Sequence, residues 1–369
     1  MQPRTIAAAL AALLVAVPAL TRPVQADPVV IRIGYPGVGV DNRPYAYGDT
    51  ASLARAGHYV EDEFRNDPGV KIEWTFFRGA GPAVNEAIAG GQLDFAAGLG
   101  DLPSIVGRSH GLATHFLMPA EERDTLYLAV TPQSDIRRIA DLAGKRVAEF
   151  RGTNLQIAAD RVLAAHGLTE RNVRFINMDQ ANTIAALTAG QIDGAFGDLE
   201  MLDLQRRGIV RIAYSTKGDD PTFGRNAAVF VTDAFERAHP DLVQRVVTAF
   251  VRAAAYGSDE RHRTQVFALW GLAGIPETAF ADDFAGTTLA GRLTPVIDPY
   301  ILARYRDQAA RAKSYGLLRR DVDIDHWIEP KYLDVALHSL HLEHYWPRYD
   351  AAGHKVTDGT VEQTRAAAN

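Results

Sequence analysis

Residues 89–102 read AGGQLDFAAGLGDL, and residues 189–199 read AGQIDGAFGDL. Both stretches contain the pattern G-Q-[LI]-D-x-A and reach G-D-L a few residues later, and each follows a helix-like segment that ends in Ala-Gly. Two copies about 100 residues apart are too few and too widely spaced for a solenoid. The repeat predicts two α/β lobes of related design. Chance similarity in Ala- and Gly-rich sequence is the alternative.

The segments around the repeat alternate between strand-like and helix-like patterns. Strand-like runs occupy 29–35, 70–77, 93–97, 146–150 and 173–177, and helix-like runs occupy 82–89 and 154–166. Gly167 suits the position that ends a helix, and Pro103 suits a first helical turn. This order predicts mostly parallel sheets with helices on both faces.

The first 26 residues have the composition of a secretory signal. Arg4 precedes an apolar run that ends at Leu20, and Val24-Gln25-Ala26 supplies a small-residue cleavage site. The run is shorter than the roughly 20 residues of a membrane-spanning helix. We expect cleavage after Ala26 and export to the periplasm.

The absence of cysteine and the excess of acidic residues exclude several classes of protein. The chain of 369 residues has no cysteine, which excludes disulfides, thiolate metal sites and a lipid-modified N-terminus. Loss of Arg4 and Arg22 with the signal would leave 37 of the 39 basic residues against 45 acidic ones. Such an anionic exported chain is a poor partner for nucleic acid or anionic lipid.

Several segments, taken in order, resemble the periplasmic binding proteins of the nitrate/sulfonate/taurine class of ABC transporters. They are IRIGY (31–35), VKIEWTFFRGAGP (70–82), GGQLDFAAGLGDLPSIV (90–106), SDIRRIADLAGKRVAEFRGTNLQIAADRVLAAHGL (134–168), AGQIDGAFGDLEMLDL (189–204), AVFVTDAFERAHPDLV (228–243) and YGLLRRDVDIDHWI (315–328). The resemblance implies the type II periplasmic binding protein fold. Each of its two lobes is a mixed, mostly parallel sheet flanked by helices, and the lobes, joined by two hinge crossings, close on a ligand. It also implies an ABC permease and, through it, a cytoplasmic ATPase as partners, without a cofactor or metal.

This fold predicts how the chain divides between the lobes. We expect a first lobe from 27–126 and 227–350, a second lobe from 127–226, and a polar tail over 351–369 that is disordered from about Lys355. The strands at 126–131 and 227–232 would be the two crossings. The mature protein is expected to be a monomer.

In open α/β sheets, ligands bind beyond the carboxyl ends of the strands. Three strand-to-helix turns, at 79–82, 100–103 and 152–154, would offer backbone N–H groups there, either to cap their own helices or to bind an anion. The sequence departs from the family in an insertion at 37–49 and in G-D-L-E at 197–200, where aliphatic-sulfonate binders often have W-D-P. The candidate ligand-binding residues are Gly37, Asp41, Asn42, Arg43, Gly79, Ala80, Gly81, Gly100, Asp101, Leu102, Gly152, Thr153, Asn154, Asp198 and Glu200.

The charge of the ligand stays open at this point. Helix N-termini suit a sulfonate or carboxylate, and a sulfonate, a taurine-like molecule or a related organic acid is the expected ligand. The acids Asp41, Asp49, Asp101, Asp198 and Glu200 could instead recognise an amine or hydroxyls, or could be solvated loop residues. Tyr35, Tyr45 and Tyr47 could stack on an organic tail.

An enzyme on the same fold is the alternative function, as in the pyrimidine synthases of thiamine biosynthesis. Those enzymes carry a cysteine-rich motif and act in the cytoplasm, so a cysteine-free chain with an export signal disfavours that class. The G-x-S-x-G match around Ser109 falls at the end of a helix, where a nucleophile elbow does not occur. His338, His341 and His344 are interpreted as a solvated helical face, with a metal site as the alternative.

Overall fold

The computed structural model describes residues 27–357 and 360–361, so the predicted signal peptide at 1–26 and the residues from 362 onward lie outside the described part of the chain. The strands are β1 (Val29–Tyr35), β2 (Val70–Phe76), β3 (Phe95–Gly100), β4 (Thr114–Asp124), β5 (Tyr127–Val130), β6 (Arg146–Glu149), β7 (Arg174–Asn177), β8 (Gly194–Gly197), β9 (Arg211–Ser215), β10 (Arg225–Thr232), β11 (Arg348–Tyr349), β12 (Lys355–Thr357) and β13 (Thr360–Val361). The helices are α1 (Thr50–Ala56), α2 (Tyr59–Glu63), α3 (Ala80–Ala89), α4 (Asp101–Ser109), α5 (Asn154–Ala165), α6 (Gln180–Thr188), α7 (Glu200–Arg206), α8 (Asp233–Ala238), α9 (Pro240–Ser258), α10 (Arg263–Gly271), α11 (Glu277–Asp283), α12 (Leu289–Arg292), α13 (Pro299–Ser314) and α14 (Lys331–Ser339). Single-turn 3-10 helices occupy Val40–Asn42, Ile139–Leu142, Glu170–Asn172, Pro221–Phe223 and Glu260–His262.

Two five-stranded sheets follow the same plan. Their strand orders are β2-β1-β3-β10-β4 and β7-β6-β8-β5-β9. β1 is parallel to β2 and β3, and β6 is likewise parallel to β7 and β8. An antiparallel strand then pairs with the central one in each sheet, β10 with β3 and β5 with β8. The predicted two-lobed α/β fold is confirmed, and each sheet is mixed because these antiparallel strands join it.

The repeated sequence builds the same local structure in both lobes. The glycine before glutamine in each copy has a φ of 66° or 67°, the left-handed conformation that suits the end of a helix. Asp94 accepts hydrogen bonds from the backbone N–H (2.8 Å) and the guanidinium (2.6 Å) of Arg32 in β1. Asp193 does the same for Arg146 in β6, at 2.7 Å and 2.8 Å. The pattern therefore encodes a helix end followed by a carboxylate that fixes the neighbouring parallel strand.

Helices cover both faces of each sheet. Alternate residues of β3 enter two different clusters, with Phe95 and Ala97 on the face covered by α1, α9 and α14, and Ala96 and Leu99 on the face covered by α3, α4 and α13. α5 covers one face of the second sheet, and α6 and α7 cover the other. No helix in the described part of the chain is long and apolar enough to cross a membrane.

The segment from α10 to α12 bridges the two lobes. α10 contacts α1, α11 contacts α7, and α12 contacts α9 and β4. The rings of Phe280 and Phe284 lie 5.6 Å and 5.5 Å from that of Trp270, in a cluster that also holds Tyr127 of the second sheet. The assignment of all of 227–350 to the first lobe omits these contacts with the second.

The chain passes between the sheets twice. β4 ends at Asp124 and β5 begins at Tyr127, while β9 ends at Ser215 and β10 begins at Arg225. The crossings are therefore 125–126 and 216–224. They immediately precede the strands that the sequence predicts as crossings, because each of those strands lies wholly within one sheet.

The C-terminal segment contains a small antiparallel sheet, β11-β12-β13. Asp350 closes the turn between β11 and β12 by accepting hydrogen bonds of 2.9 Å from the N–H groups of Ala352 and His354. Strands β12 and β13 fall within the predicted tail, and its disorder stays a prediction. The remainder of the predicted tail lies outside the described residues.

Candidate functional site

The three predicted strand-to-helix turns meet where the lobes face each other. A methyl group placed on a glycine of each turn would press against another turn: Gly81 against Pro103 at 2.4 Å, Gly152 against Pro82 at 3.0 Å, and Gly100 against Asn154 at 3.0 Å. Glycine allows this close approach because it has no Cβ. The pair Gly100–Asn154 joins α4 of the first lobe to α5 of the second, so the two turns face each other across the boundary between the lobes.

The side chain of Asp101 faces the interior. It is fully buried, and its two carboxylate oxygens accept hydrogen bonds from the N–H of Leu102 (2.8 Å) and from Nε2 of Gln308 (2.9 Å). Burial raises the pKa of Asp101, and these hydrogen bonds oppose that effect. The carboxylate of Asp101 thus contacts α13, and its predicted ligand contact stays a prediction. The hydroxyl of Thr153 also serves its own turn, since it caps α5 by accepting from Leu155 N–H at 3.2 Å.

Leu102 belongs to an apolar contact between the lobes. It is fully buried against Ile157 of α5 and Ala312 of α13. The side chain of Leu102 thus packs against the opposite lobe, and the predicted ligand contact of its backbone stays a prediction.

The insertion does not reach these turns. The N–H of Val40 donates to the carbonyl of Ala273 at 2.8 Å, and Gly39 packs closely on the same residue. Asp41 and Asn42 have positive φ of 57° and 59° and are exposed, as is Arg43. This segment folds onto the α10–α11 loop, and its predicted ligand contacts stay predictions.

A second group of candidate residues lies at the lobe crossings, in what we call the carboxylate cluster. Its six acidic side chains come from both lobes and from the bridging helices: Asp49, Glu121, Asp124, Asp198, Glu200 and Asp283. All except Asp198 are at most 8% exposed. Ala227 of β10 pairs with Gly100, so the cluster begins beside the turns, at Arg225 of the same strand.

Two buried arginines join most of these acids. Arg225 pairs with Asp124 and, at 2.9 Å, with Asp198. Arg292 pairs with Asp124, Asp283 and, at 2.8 Å, Glu121. Burial raises the pKa of Asp124 to about 7, although both arginines lower it. The number of carboxyl groups exceeds the charge that the two arginines can neutralise.

Two further cluster acids have no arginine bound to them. Asp49 caps α1 by accepting from Ser52 N–H at 2.6 Å, and it also accepts from the hydroxyl of Tyr35 at 2.8 Å. Burial raises the pKa of Asp49 to about 6 despite these hydrogen bonds.

Glu200 differs from the other five acids because its side chain binds no other residue. It is 6% exposed, and neither carboxylate oxygen accepts a hydrogen bond from another residue of the described chain. Burial raises its pKa to about 7, while its own backbone N–H and Arg225 lower it and Asp283 raises it. Glu200 is therefore directed toward the cluster without being satisfied by it.

Sequence reasoning missed most of this cluster, including both arginines. The available signal was the run E-E-R-D at 121–124, which ends an otherwise apolar strand. A charged run at the end of a buried strand indicates a buried polar network.

Polar contacts also join the lobes outside the cluster. Arg161 of α5 is 3% exposed and binds Asp307 and, at 2.9 Å, Gln308, both in α13. Arg78 and Asp179 form an exposed inter-lobe pair at 3.5 Å. These contacts hold the lobes in the arrangement seen here.

The Ser109 motif and the three C-terminal histidines form ordinary local structure. Ser109 is the last residue of α4, and its hydroxyl donates to the carbonyl of Val106 at 2.8 Å. α14 ends at Ser339, so the three histidines do not share one helix, and His338 binds Glu343 at 2.8 Å. Among the described residues, no group of three or more His, Asp or Glu is arranged to hold a metal ion.

A family model described as NMT1/THI5 like matches residues 61–260, more than half of the chain. The chain belongs to the NMT1/THI5-like family. A protein of Escherichia coli (strain K12) assigned to aliphatic sulfonate binding is 28% identical to this NMT1/THI5-like chain over 171 residues, which cover 46% of the chain and 49% of that protein. The chain spans about half the length of the curated relatives it matches.

Solved structures resemble the NMT1/THI5-like chain over most of its length. A protein of Methylobacillus flagellatus KT, assigned as the periplasmic sulfonate-binding protein of a sulfonate ABC transporter, is 27% identical with a TM-score of 0.75, covering 88% of this chain and 98% of its own. The predicted resemblance to the nitrate/sulfonate/taurine class is thereby confirmed. The desulfurization enzyme DSZB is 17% identical with a TM-score of 0.63, over 84% and 99% of the two chains, and shares the fold.

Proposed function

We propose that this protein is the solute-binding component of an ABC importer, which captures a small charged organic solute between its lobes. The observation that carries the proposal is the meeting of turns from two similarly built lobes at Gly100 and Asn154, beside two chain crossings. Two rigid lobes joined by short connections are suited to hinge closure around a ligand. The names of the relatives support the same class.

The contacts between the lobes suggest how closure is stabilised. Arg161 loses its partners in α13 when the lobes separate, and Leu102 loses its contact with Ile157. A bound solute would add contacts to both lobes and so favour the closed arrangement, by its differential affinity for that state.

The remaining parts of the proposal follow from the class. The closed, loaded protein would present itself in the periplasm to a membrane permease that is driven by a cytoplasmic ATPase. It would act as a monomer without a cofactor. A sulfonate or related organic anion, as the sequence predicts, would have to bind at the turns near Asn154.

The test uses the solute that the protein itself retains. The protein is purified from periplasm, its small molecules are extracted and identified by mass spectrometry, and the protein is refolded without them. Adding the identified solute back should reduce the radius of gyration in X-ray scattering. A bound solute that leaves the radius unchanged would contradict hinge closure.

The same experiment distinguishes a solute-binding protein from an enzyme on the same fold. A binding protein returns the solute unchanged after prolonged incubation, whereas an enzyme converts it to a product that mass spectrometry detects. Conversion of the solute would refute the proposed function.

A further inference from the structure

The charge of the carboxylate cluster bears on the kind of solute that the proposed binding site accepts. Six acidic side chains share two arginines, Arg225 and Arg292, and both arginines already bind cluster acids. Buried carboxylates are stable in ionised form only when positive charge or hydrogen-bond donors compensate them. Lys217 also lies close to Asp283 and Arg292, and the six acids still outnumber these three cations.

Glu200 is the cluster acid whose charge is least compensated by other residues. Both of its oxygens are buried without a partner in any other described residue, and Arg225, the cation that acts on it, is engaged by Asp124 and Asp198. Removing water from a carboxyl group without replacing its hydrogen bonds costs about 1–3 kcal/mol or more. A side chain of this kind at the end of a β-α turn is suited to receive a donor from outside the protein.

The helix starts at the lobe boundary are poorly suited to an anion. Asp49 caps α1, and Asp101 and Asp198 each accept from the next residue's N–H, at 2.8 Å and 2.7 Å. Carboxylates thus occupy donors at the starts of α1, α4 and α7, whereas the first turns of α3 and α5 contain no acid. An anion brought to the start of α4 or α7 would meet negative charge at short range.

We infer that the solute carries a protonated nitrogen group, an ammonium, amidinium or guanidinium, which binds Glu200 at the carboxylate cluster between the lobes. The inference rests on the proposed function and specifies its ligand. A nitrogen cation supplies both the charge and the N–H donors that Glu200 lacks. A metal ion does not fit, since the acids of the described chain are not arranged to hold one.

The test compares pairs of small molecules that differ in the charged group. The pairs are benzamidine with benzenesulfonate, butylamine with butanesulfonate, and taurine with ethanesulfonate, each at millimolar concentration with solute-free protein. Thermal shift and calorimetry should show tighter binding for the nitrogen-bearing member of at least one pair. The inference would be overturned if, in every one of the three pairs, the nitrogen-bearing member fails to bind or binds no more tightly than its sulfonate partner.

Variants of Glu200 and its neighbour Asp198 test where the cation binds. Glu200→Gln should weaken binding of the responding probe about tenfold or more, because it removes the charge at constant shape. Glu86→Gln is the matched control, since Glu86 is exposed on α3. Should Glu200→Gln not fold, as judged by circular dichroism, Asp198→Asn at the partly exposed side of the cluster replaces it. Unchanged affinity in the folded variant would place the cation elsewhere and overturn the inference.

The outcomes also separate this inference from the proposed function. Sulfonate binding with compaction in scattering would keep the solute-binding role and reject the nitrogen cation. Chemical conversion of a probe would reject the solute-binding role itself.

Discussion

Replacement of Glu200 by glutamine should change the stability of the solute-free protein in a pH-dependent way. A pKa of about 7, against about 4.5 in the unfolded chain, means that ionising Glu200 costs about 3 kcal/mol more in the folded protein. The folded state therefore holds the proton more tightly. The stability that this proton provides is fully present below about pH 4.5 and is lost as the pH rises through about 7.

Glutamine has no such titration, so the two proteins should diverge as the pH rises. The free energy of unfolding of Glu200→Gln minus that of wild type should be larger by about 2–3 kcal/mol at about pH 8 than at about pH 5. The variant therefore gains stability relative to wild type as the pH rises. A cost of burying the amide is the same at both pH values and cancels in this comparison. Arg225 lowers the pKa of Glu200 and Asp283 raises it, and both effects are already included in the value of about 7.

Urea unfolding followed by the fluorescence of the four tryptophans measures the difference. Glu86→Gln removes the same charge from an exposed site and should show little dependence on pH. A Glu200→Gln effect that is equal at both pH values would refute the reasoning that Glu200 is buried without compensation.

Three further outcomes are expected. Gly100→Ala should weaken solute binding about tenfold in calorimetry, because its methyl group would lie 3.0 Å from Asn154 and oppose closure of the lobes. Gly271→Ala is the control and should bind normally, since its methyl group would have only Glu277 nearby, at 3.9 Å. Arg161→Met should also weaken binding, by about tenfold, and enlarge the radius of gyration of the loaded protein, because it removes the contacts with α13; an unchanged radius would contradict that role. N-terminal sequencing of exported protein should begin at Asp27, and retention of the preceding apolar run would disprove the predicted cleavage.

The sequence was sufficient for the fold because the repeat encodes local geometry. The glycine in G-Q-[LI]-D requires a left-handed conformation, and the aspartate binds an arginine on the adjacent strand, so each copy specifies one turn and one strand pairing. The antiparallel strands β10 and β5 were not predicted as sheet members. Their pairing depends on segments far away in the chain, which no local pattern records.

The candidate site was predicted only at the level of the backbone. Turns at the carboxyl ends of parallel strands must share one edge of the sheet, and Gly100 and Asn154 do face each other. The direction of a side chain depends on its partner, and Asp101 turns toward Gln308, 207 residues later in the chain. The same limit concealed the two arginines of the carboxylate cluster, because their acidic partners are distant in the chain.

The position of β10 determines the order in which the lobes can be completed. The second sheet is formed entirely by residues between Tyr127 and Ser215, but the first sheet needs Arg225–Thr232 between β3 and β4. During synthesis, the first lobe therefore stays open after its own strands have been made, with two unpaired strand edges, while the second lobe already has all of its strands. Exposed strand edges pair readily with other chains. A chain truncated before Arg225 should consequently aggregate through its first lobe, even though it contains every strand of the second sheet.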